Sequence, residues 1–111
     1  MIRNITKNTI ISGEKTIIKG IFGKARGLML SKRKSLVFSF ENERIVPLHM
    51  LFVFFPIDVI FLDKNKKVAE IKESFRPFTF YNPKKKAMYV IEVPAGFVKR
   101  SKTNVGDKIG F

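Results

Sequence analysis

The stretch that most limits the fold is "LHMLFVFFPIDVIFLD", residues 48–63, an apolar run inside a lysine-rich chain. A membrane-spanning helix needs about 20 mostly apolar residues, and this run is broken by His49, Pro56 and Asp58. Proline inside a helix removes a donor and clashes with the preceding turn. The run therefore reads as two β-strands hinged at Phe55-Pro56. Leu48, Met50 and Phe52 would point one way and His49, Leu51 and Val53 the other, so both faces are apolar. Strands of that kind are central, covered on both sides.

Elsewhere the hydrophobic period is mostly two. "NTIIS" and "KTIIKGIF" are β-branched runs separated by Ser12-Gly13-Glu14, which reads as a hairpin. "GKARGLMLSKRKS", residues 23–35, loses the β-branched residues and suits a short helical turn. "LVFSF" puts Leu36, Phe38 and Phe40 on one face, and the polar "ENER" after it reads as a turn. "KVAEIKE" alternates with Glu70 and Lys72 toward water, while Phe78 and Phe80 alternate as core-facing residues. "AMYVIEVP" is a further strand ended by Pro94-Ala95-Gly96. A turn or short helix over 95–101, a hairpin turn at Gly106-Asp107 and a last strand "DKIGF" close the chain. About eight short strands at close spacing, with one or two helical turns, make an all-β sandwich or barrel.

The chain's 111 residues suit a single domain over 1–111. A chain that is 45% apolar, with 12 Phe, lies far from the composition of disordered segments. It has no cysteine, which excludes disulfides, thiolate metal sites and a cysteine nucleophile. Zinc would have to rest on one histidine and carboxylates, and no phosphate-loop glycine pattern is present, so neither metal nor cofactor is expected. The first 20 residues alternate apolar and polar without the apolar core of a signal peptide, and a cytoplasmic location is the resulting expectation.

Twenty-two Lys and Arg against nine Asp and Glu leave a net charge of +13. The cations cluster where turns are expected: Lys32-Arg33-Lys34, Lys64-Lys66-Lys67, Lys84-Lys85-Lys86 and Lys99-Arg100-Lys102. Such a surface attracts polyanions by steering and counterion release, and nucleic acid or another polyanion is a candidate partner, with Lys32, Arg33, Lys34, Lys84, Lys85 and Lys86 as the candidate contacts. Lysine on loops also serves solubility alone. No RNA-binding module is recognisable in "SFRPFTFYNPKKK", residues 74–86.

"RGLM" at 26–29, then "LVFSF", "HM", "PIDVIFLD", "YVIEVPAG" and "GDKI" resemble, in order and spacing, the domain of unknown function 192 family, also known as uncharacterised protein family 0127. The resemblance covers roughly residues 9–111 and is nearest to the short archaeal members. It implies a compact, mostly antiparallel β fold of jelly-roll or distorted-barrel type, and no established activity. In many bacterial members the counterpart of residues 48–53 carries a tryptophan and a polar Lys-Asn-Thr. Here His49 replaces the tryptophan, and Leu51, Phe52 and Val53 would form that wall.

Asp58, set among apolar neighbours, must be paired, hydrogen-bonded or protonated if buried. Arg26 is its candidate partner, either pinning a helical turn to the sheet or lining a pocket that takes an anionic group bidentately. In the first of these readings Asp58 would, beside Arg26, also accept backbone N–H bonds at the Pro56 bend. A pocket of Arg26, His49, Asp58, Pro94, Ala95 and Gly96 would make the protein a ligand-binding or accessory module. A small hydrolase using His49 with Asp58 or Glu92 is the alternative, although none of the serines sits in a nucleophile elbow. Asp58 and Asp63 would face opposite ways along one strand, and Glu92 would approach Asp58 only if their strands are neighbours.

Overall fold

A computed structural model describes residues 1–19, 35–49, 55–77 and 79–111, with the backbone alone described at Ile18 and His49. The fold is mainly β. Its strands are β1 (Ile2–Asn4), β2 (Thr9–Ser12), β3 (Thr16–Lys19), β4 (Leu36–Arg44), β5 (Leu48–His49), β6 (Ile57–Leu62), β7 (Val68–Phe75), β8 (Phe80–Tyr81), β9 (Ala87–Pro94) and β10 (Ile109–Gly110). One helix, α1 (Phe97–Ser101), lies between β9 and β10.

The middle layer is a five-stranded sheet in the order β3-β4-β9-β6-β7. All six residues of β6 are buried, as the two-sided apolar pattern of "IDVIFL" requires of a strand between β9 and β7. On one face Phe38, Val59, Phe61 and Val90 pack with Leu48 of β5 and with Tyr81 of β8, and β5 and β8 form a two-stranded sheet. On the other face Val37, Ile60, Ile91 and Val93 pack with Ile2, Ile11, Val98 and Ile109. That face is covered by α1 and by a three-stranded sheet ordered β10-β1-β2. Among the described residues the arrangement is a layered sandwich and no sheet closes on itself. Truncating Phe61, which is fully buried, to alanine would cost about 3–5 kcal/mol.

Several expectations change. β2 and β3 do not form a hairpin: β2 pairs with β1, and β3 runs parallel to β4, with Ile17 opposite Val37. Period-two patterning marks a strand without naming its neighbour. "ENER" is not a turn but the outer part of β4, which rejoins β9 past an irregularity through Arg44 and Ala87. The Arg44 guanidinium lies 5.5 Å from the Phe40 ring centroid, so apolar support accompanies this charged extension. Among the described residues β5 pairs with β8, in a sheet separate from the one that holds β6. Phe80 is 70% exposed rather than core-facing. The turn at Gly106 joins α1 to β10 and is not a hairpin. The helical turn expected over 23–34, the strand continuation at 50–54 and Phe78 lie outside the described residues.

Candidate functional site

Asp58 is the second residue of β6, on the face it shares with Ile60 and Leu62, and it is 1% exposed. One carboxylate oxygen, Oδ1, accepts the Ser74 N–H at 2.9 Å. The other, Oδ2, accepts the N–H groups of Gly96 at 2.9 Å and Val98 at 3.1 Å. Gly96 is the N-cap of α1 and has φ +98°, a left-handed conformation that glycine adopts without a Cβ penalty. A glycine N-cap has no side chain to satisfy the first helical N–H groups, so the strand carboxylate takes that role from 38 positions earlier in the chain. Ser74, also at positive φ (51°), is held by the other oxygen. One side chain thus ties β6, β7 and the start of α1 together.

The structure brings Asp58 to Gly96 of the Pro94-Ala95-Gly96 turn, but not to Glu92. β6 and β9 are neighbours in the register Asp58 to Val93 and Val59 to Glu92. Residues directly opposite on paired strands share a face, and successive residues alternate, so the two carboxylates point to opposite faces of the middle sheet. Glu92 is buried on the Val59 side. The His49 backbone pairs with Phe80; its side chain, like Arg26, Lys32, Arg33 and Lys34, lies outside the described residues. Asp63 has left the strand for the following turn, where its Oδ1 accepts the N–H groups of Asn65 at 2.8 Å and Lys67 at 3.0 Å.

A second buried carboxylate centre went unnoticed in the sequence. Asp107 Oδ2 accepts from Asn4 Nδ2, Lys7 Nζ and the Asn104 N–H, each at 2.9 Å. Asn4 Nδ2 also reaches Thr103 Oγ1 at 3.1 Å. Burial alone would push the Asp107 carboxyl up, but these hydrogen bonds and the Lys7 charge outweigh it and hold the group below its ordinary value. The available signal was Asn4, which alternation places on the same inward face as Ile2. An amide pointing inward needs a polar partner.

The lysine turns at 64–67 and 84–86 share a construction. Glu70, expected to face water, instead accepts the backbone N–H groups of Lys84 and Lys85 at 2.9 Å and the phenol of Tyr81. Burial, joined by that hydrogen bond and the Glu70 charge, raises the Tyr81 phenol to about 12. Glu43 accepts the Lys64 N–H at 2.8 Å, and Asp63 holds the Asn65 and Lys67 N–H groups. In each case a carboxylate binds the turn's backbone rather than its ammonium groups. Lys64, Lys67, Lys84, Lys85 and Lys86 are exposed, and among the described residues there is one ion pair, Lys7 to Asp107.

Within the described residues no three metal-binding side chains come together, and no helix is long and apolar enough to cross a membrane. The family model DUF192, described as "Uncharacterized ACR, COG1430", matches residues 12–111. The chain belongs to the DUF192 family. A UPF0127 protein of Thermococcus sibiricus is 38% identical over 113 residues, covering 98% of this chain and 73% of the relative. One from Pyrococcus horikoshii is 39% identical over 112 residues, covering 98% and 96%. A solved structure of a protein of unknown function from Novosphingobium aromaticivorans superposes with a TM-score of 0.77 at 20% identity, over 87% of this chain and 74% of that one. A second, from Sinorhizobium meliloti, also gives a TM-score of 0.77, at 22% identity over 86% and 79%. At those identities the likeness speaks for the fold alone.

In this DUF192 chain the motifs "PIDVIFLD", "YVIEVPAG" and "GDKI" are β6, the end of β9 with its turn, and the turn into β10. They hold Asp58, its N–H donor Gly96, and Asp107. Three of the resembling segments thus supply both carboxylates and Gly96, while the other partners Ser74, Val98, Asn4, Lys7 and Asn104 lie outside them.

Proposed function

We propose that this DUF192 protein is a binding module that takes a polyanion through its lysine-bearing turns. The observation that carries this reading is the use of its acidic groups. Asp63, Glu43 and Glu70 all accept backbone N–H groups of the lysine turns, which shapes the turns without ion-pairing their ammonium groups. With 22 Lys and Arg against nine Asp and Glu, the surface keeps a positive potential for an external anion. Lys84, Lys85 and Lys86 are the best-defined contacts, since Glu70 fixes the backbone beneath them. The absence of cysteine is in keeping with a cytoplasmic location, where nucleic acids supply such partners. The hydrolytic alternative gains no support from Asp58, whose oxygens hold three backbone N–H groups, or from its placement across the sheet from Glu92. A small-ligand pocket beside Pro94, Ala95 and Gly96 would likewise have to leave those three bonds in place.

Heparin retention and titration of a single-stranded oligonucleotide against salt test the reading. Affinity should fall on a log–log plot by about 0.7 per phosphate contacted. Replacing Lys84, Lys85 and Lys86 together by glutamine should make that slope shallower by roughly two. A protein that passes through heparin unretained at about 0.1 M salt, where surface charges still act over ~10 Å, would overturn it.

A further inference from the structure

We infer that Tyr89 and Phe111, with Lys66 across them, form a platform on which bases of a single-stranded nucleic acid stack while neighbouring lysines take its phosphates. The inference rests on the polyanion reading and names the chemical class of the anion. Tyr89 of β9 and Phe111, just past β10, are both half-buried, with ring centroids 5.3 Å apart in an edge-to-face arrangement. They rim the core cluster of Ile91 and Ile109 without being enclosed by it. Lys66 Nζ lies 4.4 Å from the Phe111 centroid and 5.7 Å from that of Tyr89, and Lys15 Nζ lies 5.9 Å from Phe111.

Neighbouring residues add further cations. Lys67 and Lys108 face each other across an isolated β-bridge, and both are exposed. The Lys66 carbonyl accepts the Ile109 N–H at 2.9 Å, so the lysine turn and the strand leading to Phe111 are joined as one unit. The Lys108 ammonium reaches the Asn65 carbonyl at 2.6 Å. The carboxylate of this turn, Asp63, is engaged by backbone N–H groups.

Aromatic faces beside ammonium groups suit a ligand with both π-faces and closely spaced negative charge. Unpaired nucleotides offer both, with sequence-tolerant stacking. A duplex keeps its base faces covered, and a sulfated polysaccharide has none, so either would use the lysines alone.

The test measures binding of an oligo-dT single strand of roughly 15 nucleotides, the matching duplex and heparin to the full chain and to Phe111→Leu, which keeps apolar bulk and removes the π-face. Single-strand affinity should drop roughly tenfold in the variant, with heparin affinity unchanged. A second readout needs no substitution: the chain has two tyrosines and no tryptophan, and its tyrosine emission should fall on adding the single strand but not heparin. Equal affinity for single strand and duplex, or unchanged single-strand affinity in a folded Phe111→Leu, would overturn the platform while heparin binding upheld the polyanion reading. Loss of all three interactions in the unsubstituted protein would overturn both.

Discussion

Asp58 and Asp107 are both buried carboxylates with three hydrogen-bond donors apiece, yet they hold the molecule in different ways. Among the described residues every donor to Asp58 is a backbone N–H, drawn from β7, the Gly96 turn and α1. Asp107 receives one backbone N–H from its own turn and two side-chain donors, Asn4 and Lys7. Backbone donors at fixed positions cannot turn away to find water, whereas an amide and an ammonium can. The Asp58 centre should therefore be rigid and intolerant, and the Asp107 centre adjustable.

The largest expected effect is at Asp58. In Asp58→Asn the amide group can serve as acceptor on one side only, and its NH2 meets a backbone N–H on the other. Charge-assisted bonds are worth about 1.5–3 kcal/mol each and a buried orphan donor costs about 1–3 kcal/mol, so the substitution should destabilise by about 3 kcal/mol. That corresponds to a fall in Tm of 10 °C or more at roughly 4 °C per kcal/mol. Unchanged melting and amide spectra in Asp58→Asn would show that the three bonds do not carry the β6–β7–α1 junction, and the comparison would fail at its stronger side.

Asp107→Asn should lose less, about 1–2 kcal/mol at neutral pH, and its loss should depend on pH. The folded carboxyl lies below its ordinary value, so the native state favours the ionised form. Its contribution is complete above an unfolded pKa of about 4 and is lost as pH falls through the lower folded value. Melting curves of wild type and Asp107→Asn should therefore converge as pH is taken below about 4. A constant gap would mean that the charge is not what Asn4, Asn104 and Lys7 stabilise.

The two centres were not equally legible in the sequence. Asp58 stood out because a charge interrupts a run whose both faces are apolar, a pattern that does not by itself say whether the carboxylate is enclosed or at the strand's lip. Its donors could not be read, since a backbone N–H leaves no mark in the sequence and the join to Ser74 depends on the register of β7. The turn at Pro94-Ala95-Gly96 was legible through its glycine, although not as a helix cap. Asp107 looked like an ordinary turn residue because its partners Asn4 and Lys7 lie about a hundred positions away. Glu70 was misread for a related reason: alternation says which way a side chain leaves the strand, not that the Lys84–Lys85 turn folds back over it.

Lys7 provides the smallest and most discriminating perturbation. Its ammonium reaches Asp107 at 2.9 Å and the Lys102 carbonyl at 3.0 Å, and its side chain is 33% exposed. A partly exposed pair is screened by solvent and salt, so Lys7→Ala should cost only about 0.5 kcal/mol, less still at high salt. Asn4 and the Asn104 N–H would remain on the carboxylate, so the acid limb of Asp107 should persist but move to higher pH. If Lys7→Ala instead destabilised as much as Asp107→Asn, the centre would depend on its ion pair rather than on its neutral donors. It would then resemble Asp58 in being intolerant, but through charge rather than through fixed backbone geometry.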